Sequence, residues 1–202
     1  MTKTVDGRRA RGDVTRALVA REAAMTATVS GLDSLTVGGL AAATGVSKSG
    51  ILTVFGSREN IQLAAVAAAR RIFRDAVVAP AWGAAPGGDR LVALLDAWLT
   101  YQREEVFTGG CFLTATSVEY GHRDGPVAES VRRLKREWLD LLAADLAAAG
   151  HPEPQDAAFR IDALLAGAST MRQLFGDDAE LDRGHRLAAE VVAERRRPRR
   201  KR

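Results

Sequence analysis

Residues 36–60, TVGGLAAATGVSKSGILTVFGSREN, constrain the fold more than any other part of the chain. Three hydroxyl side chains lie there at positions that suit helix caps, because they can accept hydrogen bonds from the unpaired N–H groups at a helix start. They are Thr36, Ser47 and Ser57. Gly45 lies where a left-handed backbone conformation at a helix end favours glycine. The pattern predicts one helix that ends before Gly45, a second over residues 48–54, and a third that begins at residue 58.

An apolar seam connects the first two of these helices. Leu40 and Val46 lie on the first helix and in the turn, and Ile51 and Phe55 continue the seam along the second helix. Two short helices with so short a linker must cross steeply, which is the geometry of a helix-turn-helix. In that motif the second helix enters the major groove of DNA and the first crosses the backbone. The segment therefore predicts binding to double-stranded DNA.

The residues before the motif predict a supporting helix. Residues 13–29 have an amphipathic pattern that places Val14, Leu18, Ala24 and Met25 roughly on one face. We expect this face to pack behind the motif, with residues 1–12 forming a basic N-terminal arm.

The motif and its supporting helix resemble the DNA-binding domain of the TetR/AcrR family of bacterial transcriptional regulators. The resemblance is carried by Thr15-Arg16, Leu18, Ala24, Gly31-Leu32, Leu35-Thr36, Leu40-Ala41, Gly45-Val46-Ser47-Lys48, Phe55 and Ser57-Arg58-Glu59-Asn60-Ile61. The chain departs from the family pattern at Leu52, where an aromatic residue that reaches a DNA phosphate is usual, and at Arg58, where lysine is usual. The resemblance implies a homodimer on a palindromic operator.

The motif geometry assigns DNA contacts to individual side chains. Thr36 and Arg58 are expected to contact phosphates, and Lys48 either a phosphate or a base edge. The predicted set, which also includes groove-facing residues of the second helix, is Thr36, Ser47, Lys48, Ser49, Gly50, Thr53 and Arg58. Because the hydroxyl residues in this set equally serve as caps, loss of binding on their mutation would not by itself prove contact.

The remaining sequence predicts an all-α protein of about nine helices, since helix formers dominate and no alternating apolar pattern persists. The net charge of +4 is unevenly distributed, with +3 on residues 1–60, −5 on residues 61–193 and +6 on residues 194–202. Basic ends around an acidic body are typical of a protein that contacts a polyanion with its ends. We expect a helix-turn-helix domain over 13–60, a ligand-binding and dimerisation domain over 61–194, and a disordered basic tail over 195–202.

The helix from residue 58 is expected to continue to about residue 79. Later helices are predicted over residues 90–105, 111–120, 127–149, 156–175 and 179–194. This half resembles one subgroup of the same family through Phe107, Gly109-Gly110-Cys111-Phe112, Gly125-Pro126-Val127, Trp138 and Ala166-Gly167-Ala168. The resemblance implies a helical domain that binds a ligand and forms the dimer, and it does not name the ligand.

Two sites are predicted in this half. Helical bundles hold ligands between their helices, and the candidate lining is Trp98, Tyr101, Phe107, Phe112, Trp138 and Met171. The scarcity of charged candidates indicates a hydrophobic or weakly polar effector. An apolar stripe predicts the dimer interface at Leu164, Leu165, Ala168, Met171 and Leu174. The alternative is that this stripe faces the helix 127–149 within one subunit.

Other chemistries have weaker support. Cys111 lies among apolar neighbours, which favours a packing cysteine, and a redox-sensing role is the alternative. His122, His151 and His185 lack the spacing of metal ligands, so we expect no metal, no cofactor and no enzyme. A single cysteine permits no internal disulfide, and the longest apolar run is too short to span a bilayer. A cytoplasmic protein with no membrane partner is expected.

The sequence therefore predicts a homodimeric TetR-type regulator, most simply a repressor that a small effector releases from its operator. Three alternatives remain open at this point. The first is an activator, or a regulator without a ligand, on the same fold. The second is a redox switch through Cys111, and the third is a non-specific DNA-packaging protein driven by its basic ends.

Overall fold

The computed structural model describes residues 3–194, of which residues 3–9 are described by their backbone alone. Nine helices make up this part of the chain, so the predicted all-α fold is confirmed. Their bounds are α1 (Lys3–Ser30), α2 (Val37–Thr44), α3 (Lys48–Phe55), α4 (Arg58–Phe73), α5 (Gly88–Arg103), α6 (Phe112–Glu119), α7 (Pro126–Ala148), α8 (Pro154–Phe175) and α9 (Ala179–Ala193). A short 3₁₀ turn, Leu32–Ser34, precedes α2.

One helix bound differs from the prediction by more than two residues. Helix α1 begins at Lys3 rather than at residue 13, so the described part of the predicted arm is helical. Adding residues to an existing helix costs little, and the alanine and arginines of this stretch are good helix formers. Helix α4 continues through a π-helical turn, Arg74–Val78, and a final α-helical turn, Ala79–Ala81. The predicted basic tail, residues 195–202, lies outside the described residues.

The chain forms two compact units, and their boundaries differ from those of the predicted domains. The first contains the described residues up to Ile72 together with residues 107–132, and the second contains residues 73–106 and 133–194. In the first unit α1 packs against α2, α3 and α6. Small side chains of α1 form its buried face, so the predicted face is confirmed only in part: Ala24 is buried, whereas Val14 is 69% exposed and Leu18 46% exposed. The buried residues of α1 are Val19, Ala20, Ala23, Ala24, Ala27 and Thr28.

The second unit is built around α9, which packs against α8 and α5. Gly184 of α9 makes this approach possible, because a Cβ atom there would lie 2.4 Å from Cβ of Ala168. Lys135 of α7 donates to both carboxylate oxygens of Asp162 of α8 at 2.8 Å. The largest fully buried side chains of this unit are Leu91, Leu94, Leu95, Leu142, Leu146, Ile161 and Leu181.

No single helix in the described residues is long and apolar enough to cross a membrane. Helices α2 and α3 reach the necessary length and apolar composition only when taken together, and they are bent by 114° relative to each other.

Candidate nucleic-acid interface

The predicted helix-turn-helix is present. Helices α2 and α3 meet at 114°, within the range of about 90–120° typical of the motif. Only Gly45, Val46 and Ser47 join them. Gly45 has φ 71° and ψ 2°, and its N–H donates to the carbonyl oxygen of Ala41 at 3.0 Å. The left-handed backbone at Gly45 therefore ends α2 and turns the chain into α3, as the sequence predicted.

The three predicted caps are formed. Thr36 Oγ1 accepts from the N–H of Gly39 at 3.0 Å. Ser47 Oγ accepts from the N–H of Gly50 at 3.1 Å, and Ser57 Oγ accepts from the N–H of Asn60 at 3.1 Å. Each hydroxyl fixes the start of one helix. Their structural role is therefore established independently of any DNA contact.

Helix α3 has one buried side and one exposed side. Ile51 and Phe55 are 0% and 3% exposed and anchor the helix to the first unit. The exposed side, which we call the recognition face, consists of Lys48, Ser49, Leu52 and Thr53. Three of these four residues belong to the predicted DNA-binding set, and the structure brings them onto one surface.

Gly50 has a structural role beside the DNA contact predicted for it. It is half-buried, and a Cβ atom there would lie 3.1 Å from Ser47 Oγ and 3.3 Å from Val46 Cγ1. The missing side chain leaves room for the cap of α3. Gly50 therefore supports the turn, and its groove contact stays a prediction.

Lys48 lies against the first turn of α2. Its Cε and Nζ atoms are 3.6 Å and 3.7 Å from the position that a Cβ atom would take on Gly38. The start of a helix attracts anions through its unpaired N–H groups and its dipole. The ammonium group therefore adds its charge to a helix terminus that already favours a phosphate, which supports the phosphate role for Lys48 over the base-edge role.

Two arginines form hydrogen bonds to backbone carbonyl groups at the two ends of the motif. Arg58 donates to the backbone carbonyl oxygen of Asp33, and its Nη2 lies 3.9 Å from Asp33 Oδ1. The guanidinium that is predicted to contact a phosphate is therefore also bonded to Asp33 within the protein. Arg16 of α1, whose role the sequence did not indicate, donates to the carbonyl oxygen of Val54 at 2.6 Å and lies over the ring of Phe55 at 5.0 Å. This contact satisfies a carbonyl at the end of α3.

A cluster of polar residues fixes the turn that leads into α2. Glu119 accepts from the N–H groups of Leu32 and Asp33 at 2.8 Å and 2.9 Å. The Asp33 carboxylate pairs with Arg123 and accepts from the Tyr120 hydroxyl at 3.2 Å. We call Asp33, Gln62, Glu119, Tyr120 and Arg123 the Asp33 cluster. Gln62 Nε2 completes it by donating to the carbonyl oxygen of Leu32 at 3.0 Å and to Asp33 Oδ1 at 3.2 Å.

The cluster changes the acid–base properties of its members. The hydrogen bond from Arg123 lowers the pKa of Asp33 below its ordinary value of 3.8, with further contributions from Tyr120 and Gln62. Burial, followed by the nearby charge of Asp33, raises the pKa of Tyr120 to about 12. The carboxylate form of Asp33 is therefore the form that the folded protein prefers.

Asp33→Asn is expected to lower stability at neutral pH by about 1 kcal/mol or less, because the Asp33 and Arg123 side chains are partly exposed and solvent screens such a pair. The pKa of Asp33 is lower in the folded protein than in the unfolded chain, so the carboxylate stabilises the fold at pH values above the unfolded-state pKa. This contribution is lost as the pH falls through the folded-state pKa. The difference from wild type should therefore be present at pH 7 and shrink as the pH falls below 3.8. Urea unfolding at several pH values measures it, with Asp124→Asn, whose side chain is fully exposed, as the control. A difference that persists unchanged at low pH would contradict this account.

The residues predicted to bind ligand belong to both compact units. Trp98, Tyr101 and Trp138 are 3–6% exposed in the second unit, and Phe73 contacts two of them edge to face. The centroid distances are 5.6 Å from Phe73 to Tyr101 and 5.2 Å to Trp138. Phe107 and Phe112 belong to the first unit, are each 2% exposed, and have centroids 5.9 Å apart. Met171 is 41% exposed, so it differs from the buried aromatic residues.

The remaining candidates are Cys111 and the residues that could hold a metal ion. Cys111 is 7% exposed at the start of α6, and such burial restricts access by oxidants. Among residues 3–194, no group of three or more His, Cys, Asp or Glu residues is arranged to hold a metal ion.

Comparison with known proteins identifies the family. Residues 87–188 match the family described as tetracyclin repressor-like, C-terminal domain, over half of the chain. The chain belongs to the TetR family of transcriptional regulators. It is therefore a DNA-binding regulator rather than an enzyme, as the sequence predicted. The assignment to the subgroup with the Gly109-Gly110-Cys111-Phe112 motif stays a prediction, and none of the curated proteins matches the chain significantly.

Solved structures agree with this assignment. A TetR transcriptional regulator from Chloroflexus aurantiacus J-10-FL is 26% identical, with a TM-score of 0.82 over 91% of this chain and 96% of that chain. A TetR-family regulator from Cytophaga hutchinsonii is 19% identical, with a TM-score of 0.80 over 91% and 95%. AibR, crystallised with isovaleryl coenzyme A and operator DNA, is 15% identical, with a TM-score of 0.71 over 88% and 98%. The last two likenesses concern the fold alone.

Proposed function

We propose that this TetR-family regulator is a homodimeric repressor that a small effector releases from a palindromic operator. The observation that carries the proposal is the recognition face of α3, which is exposed and lies beside the anion-attracting start of α2. Lys48, Thr36 and the free donors of Arg58 supply phosphate contacts, and Ser49 and Thr53 supply groove contacts. Phosphate contacts fix the register of the protein on DNA, while contacts to base edges distinguish sequences.

The proposed dimer interface lies on the exposed apolar side of α8. Phe159, Met171, Leu174 and Phe175 are 66%, 41%, 71% and 64% exposed. A groove of about 420 Å³ continues this surface onto α9 and is lined by Phe159, Arg160, Ala163, Leu164, Leu187, Glu190, Val191 and Glu194. Exposed apolar patches of this kind mark association sites, and a two-fold axis would place the same surface of a second copy against it.

This assignment corrects part of the predicted interface. Leu165 and Ala168 are 3% and 6% exposed, and Ala168 packs against Gly184 of α9. They face the interior of the second unit because α9 covers that side of α8. Leu164, Met171 and Leu174 remain in the proposed interface. Met171 was predicted both to line the ligand site and to lie in the interface, and we now assign it to the interface alone.

The proposed effector is small and hydrophobic or weakly polar. Trp98, Tyr101 and Trp138 of the second unit remain its proposed lining, because aromatic side chains commonly line ligand sites in proteins. The AibR structure contains both isovaleryl coenzyme A and operator DNA, and we transfer only the general arrangement of one ligand and one operator to this chain. An effector that binds the DNA-free conformation more tightly would release DNA by its difference in affinity.

Selection of bound duplexes from a random DNA library tests the proposal. We expect enrichment of one palindromic sequence whose half-sites are one helical turn or a multiple apart, because each recognition helix enters one major groove. Fluorescence anisotropy on the selected duplex then screens hydrophobic small molecules for release. If no particular sequence is enriched, the result would instead support non-specific DNA packaging. If an oxidant releases the DNA from the wild-type protein but not from Cys111→Ser, the result would support the redox alternative.

Lys48→Ala is expected to weaken operator binding and to reduce its salt dependence. If the ammonium group contacts a phosphate, the plot of log affinity against log salt loses about one unit of slope per half-site. The affinity loss should be similar on all sequences. Arg183→Ala, on the exposed surface of α9, removes the same charge and should leave the slope unchanged. A loss confined to one base pair of the operator would instead assign Lys48 to a base edge.

A further inference from the structure

Leu52 is the only apolar side chain on the recognition face as defined above. It is 49% exposed, whereas Ile51 and Phe55 on the other side of α3 are buried. It therefore contributes little to the core of the first unit. A single exposed leucine needs no explanation on an ordinary surface, but the recognition face of α3 loses its water when it enters a DNA groove.

The polar neighbours of Leu52 have partners within the motif. Thr53 Oγ1 donates to the carbonyl oxygen of Ser49 at 2.8 Å. Ser49 Oγ lies 3.2 Å from Ser47 Oγ, at hydrogen-bond distance. The ammonium group of Lys48 lies over Gly38 of α2. Leu52 thus lies on the recognition face beside two short hydroxyl side chains that have partners within the motif.

We propose that Leu52 selects thymine in the operator through an apolar contact with the C5-methyl group. The proposal rests on the proposed docking of α3 in the major groove. Each base pair presents hydrogen-bond donors and acceptors there, and only thymine presents a methyl group. Leucine has no polar atom in its side chain, so a donor or acceptor of a base edge that is desolvated against it stays unpaired. The methyl group is the one partner in the groove that matches its chemistry.

Deoxyuridine substitution in the selected duplex tests the contact. Replacing one thymine by deoxyuridine in each half-site removes the methyl group and leaves base pairing unchanged. At one symmetric pair of positions, the wild-type protein is expected to bind the deoxyuridine duplex about fourfold more weakly per half-site than the thymine duplex. This factor corresponds to the free energy of burying one methyl-sized group. Leu52→Ala is expected to weaken binding to the thymine duplex and to show no further loss on deoxyuridine at the same positions.

The non-additivity of the two changes is the diagnostic result, because groups in contact fail to add. Val118→Ala is the matched control: Val118 lies on α6, is 79% exposed, and its truncation should leave the full deoxyuridine effect. Since Leu52 is half-exposed, the alanine variant is expected to fold, and circular dichroism checks this. Equal deoxyuridine losses for wild type and Leu52→Ala at every thymine would overturn the proposal while leaving operator binding intact. Failure to select any duplex would remove the proposed function itself.

Discussion

Gly109→Ala is expected to be among the most destabilising single substitutions in the chain. A Cβ atom at this position would lie 2.1 Å from the carbonyl oxygen of Thr28 and 2.3 Å from its carbonyl carbon. It would also lie 2.8 Å from the backbone nitrogen of Val29. These are backbone atoms at the end of α1, so relief requires that the helix end and the segment before α6 move apart. The Gly109 N–H also donates to Thr28 Oγ1 at 3.2 Å, and this hydrogen bond would be lost.

The expected cost is about 3 kcal/mol or more, at the upper end of the range for overpacking. For a protein of this size, that corresponds to a fall of about 6–12 °C in Tm. Differential scanning calorimetry with urea unfolding measures both quantities. Gly12→Ala is the control, because it lies on α1 with no atom within 4 Å of the new Cβ. Alanine there should leave stability unchanged or raise it by up to about 1 kcal/mol, and an equally mild effect at Gly109 would show that this close approach is wrong.

The helix-turn-helix was predictable from sequence because its determinants are local. Thr36 and Ser47 each contact a backbone N–H three residues away, and Gly45 contacts a carbonyl four residues away. Each interaction needs only one residue type at one spacing. The positions of these residues therefore indicated both the helices and the turn.

The Asp33 cluster was not predictable in this way. Asp33 meets Tyr120 and Arg123 across 87 and 90 residues of sequence. Nothing in the sequence near Asp33 indicates these partners, since the contacts depend on how α6 packs against α1. The same packing places residues 107–132 in the first unit, whereas the sequence predicted a single boundary after residue 60.

The apolar residues of α8 show a second limit of sequence reasoning. A helix with apolar residues on two adjacent sides buries one side within its own subunit and exposes the other. The side that is covered depends on the neighbouring helix, and Gly184 lets α9 approach closely at Ala168. The spacing of Leu165, Ala168, Met171 and Leu174 alone did not distinguish these two sides.

The exposed side of α8 yields the prediction with the largest expected effect on function. Met171→Glu combined with Leu174→Glu is expected to separate the proposed dimer into folded monomers. Both side chains are exposed in the single protomer, at 41% and 71%, so glutamate is tolerated there in the monomer. In a two-fold interface the substitutions place four carboxylates in an apolar contact, where burying unpaired charge is strongly unfavourable.

Operator affinity should fall together with the dimer, by about 100-fold or more, because linkage of two half-sites contributes at least that much. A monomer presents a single α3 to a single half-site, so the palindrome no longer adds affinity. Sedimentation velocity measures the oligomeric state, and circular dichroism confirms that the helices remain. Val92→Glu is the control, since Val92 is 47% exposed on α5 of the same unit and lies outside the proposed interface. A doubly substituted protein that stays dimeric would place the interface elsewhere, whereas loss of the dimer with unchanged operator affinity would show that a single subunit is the DNA-binding form.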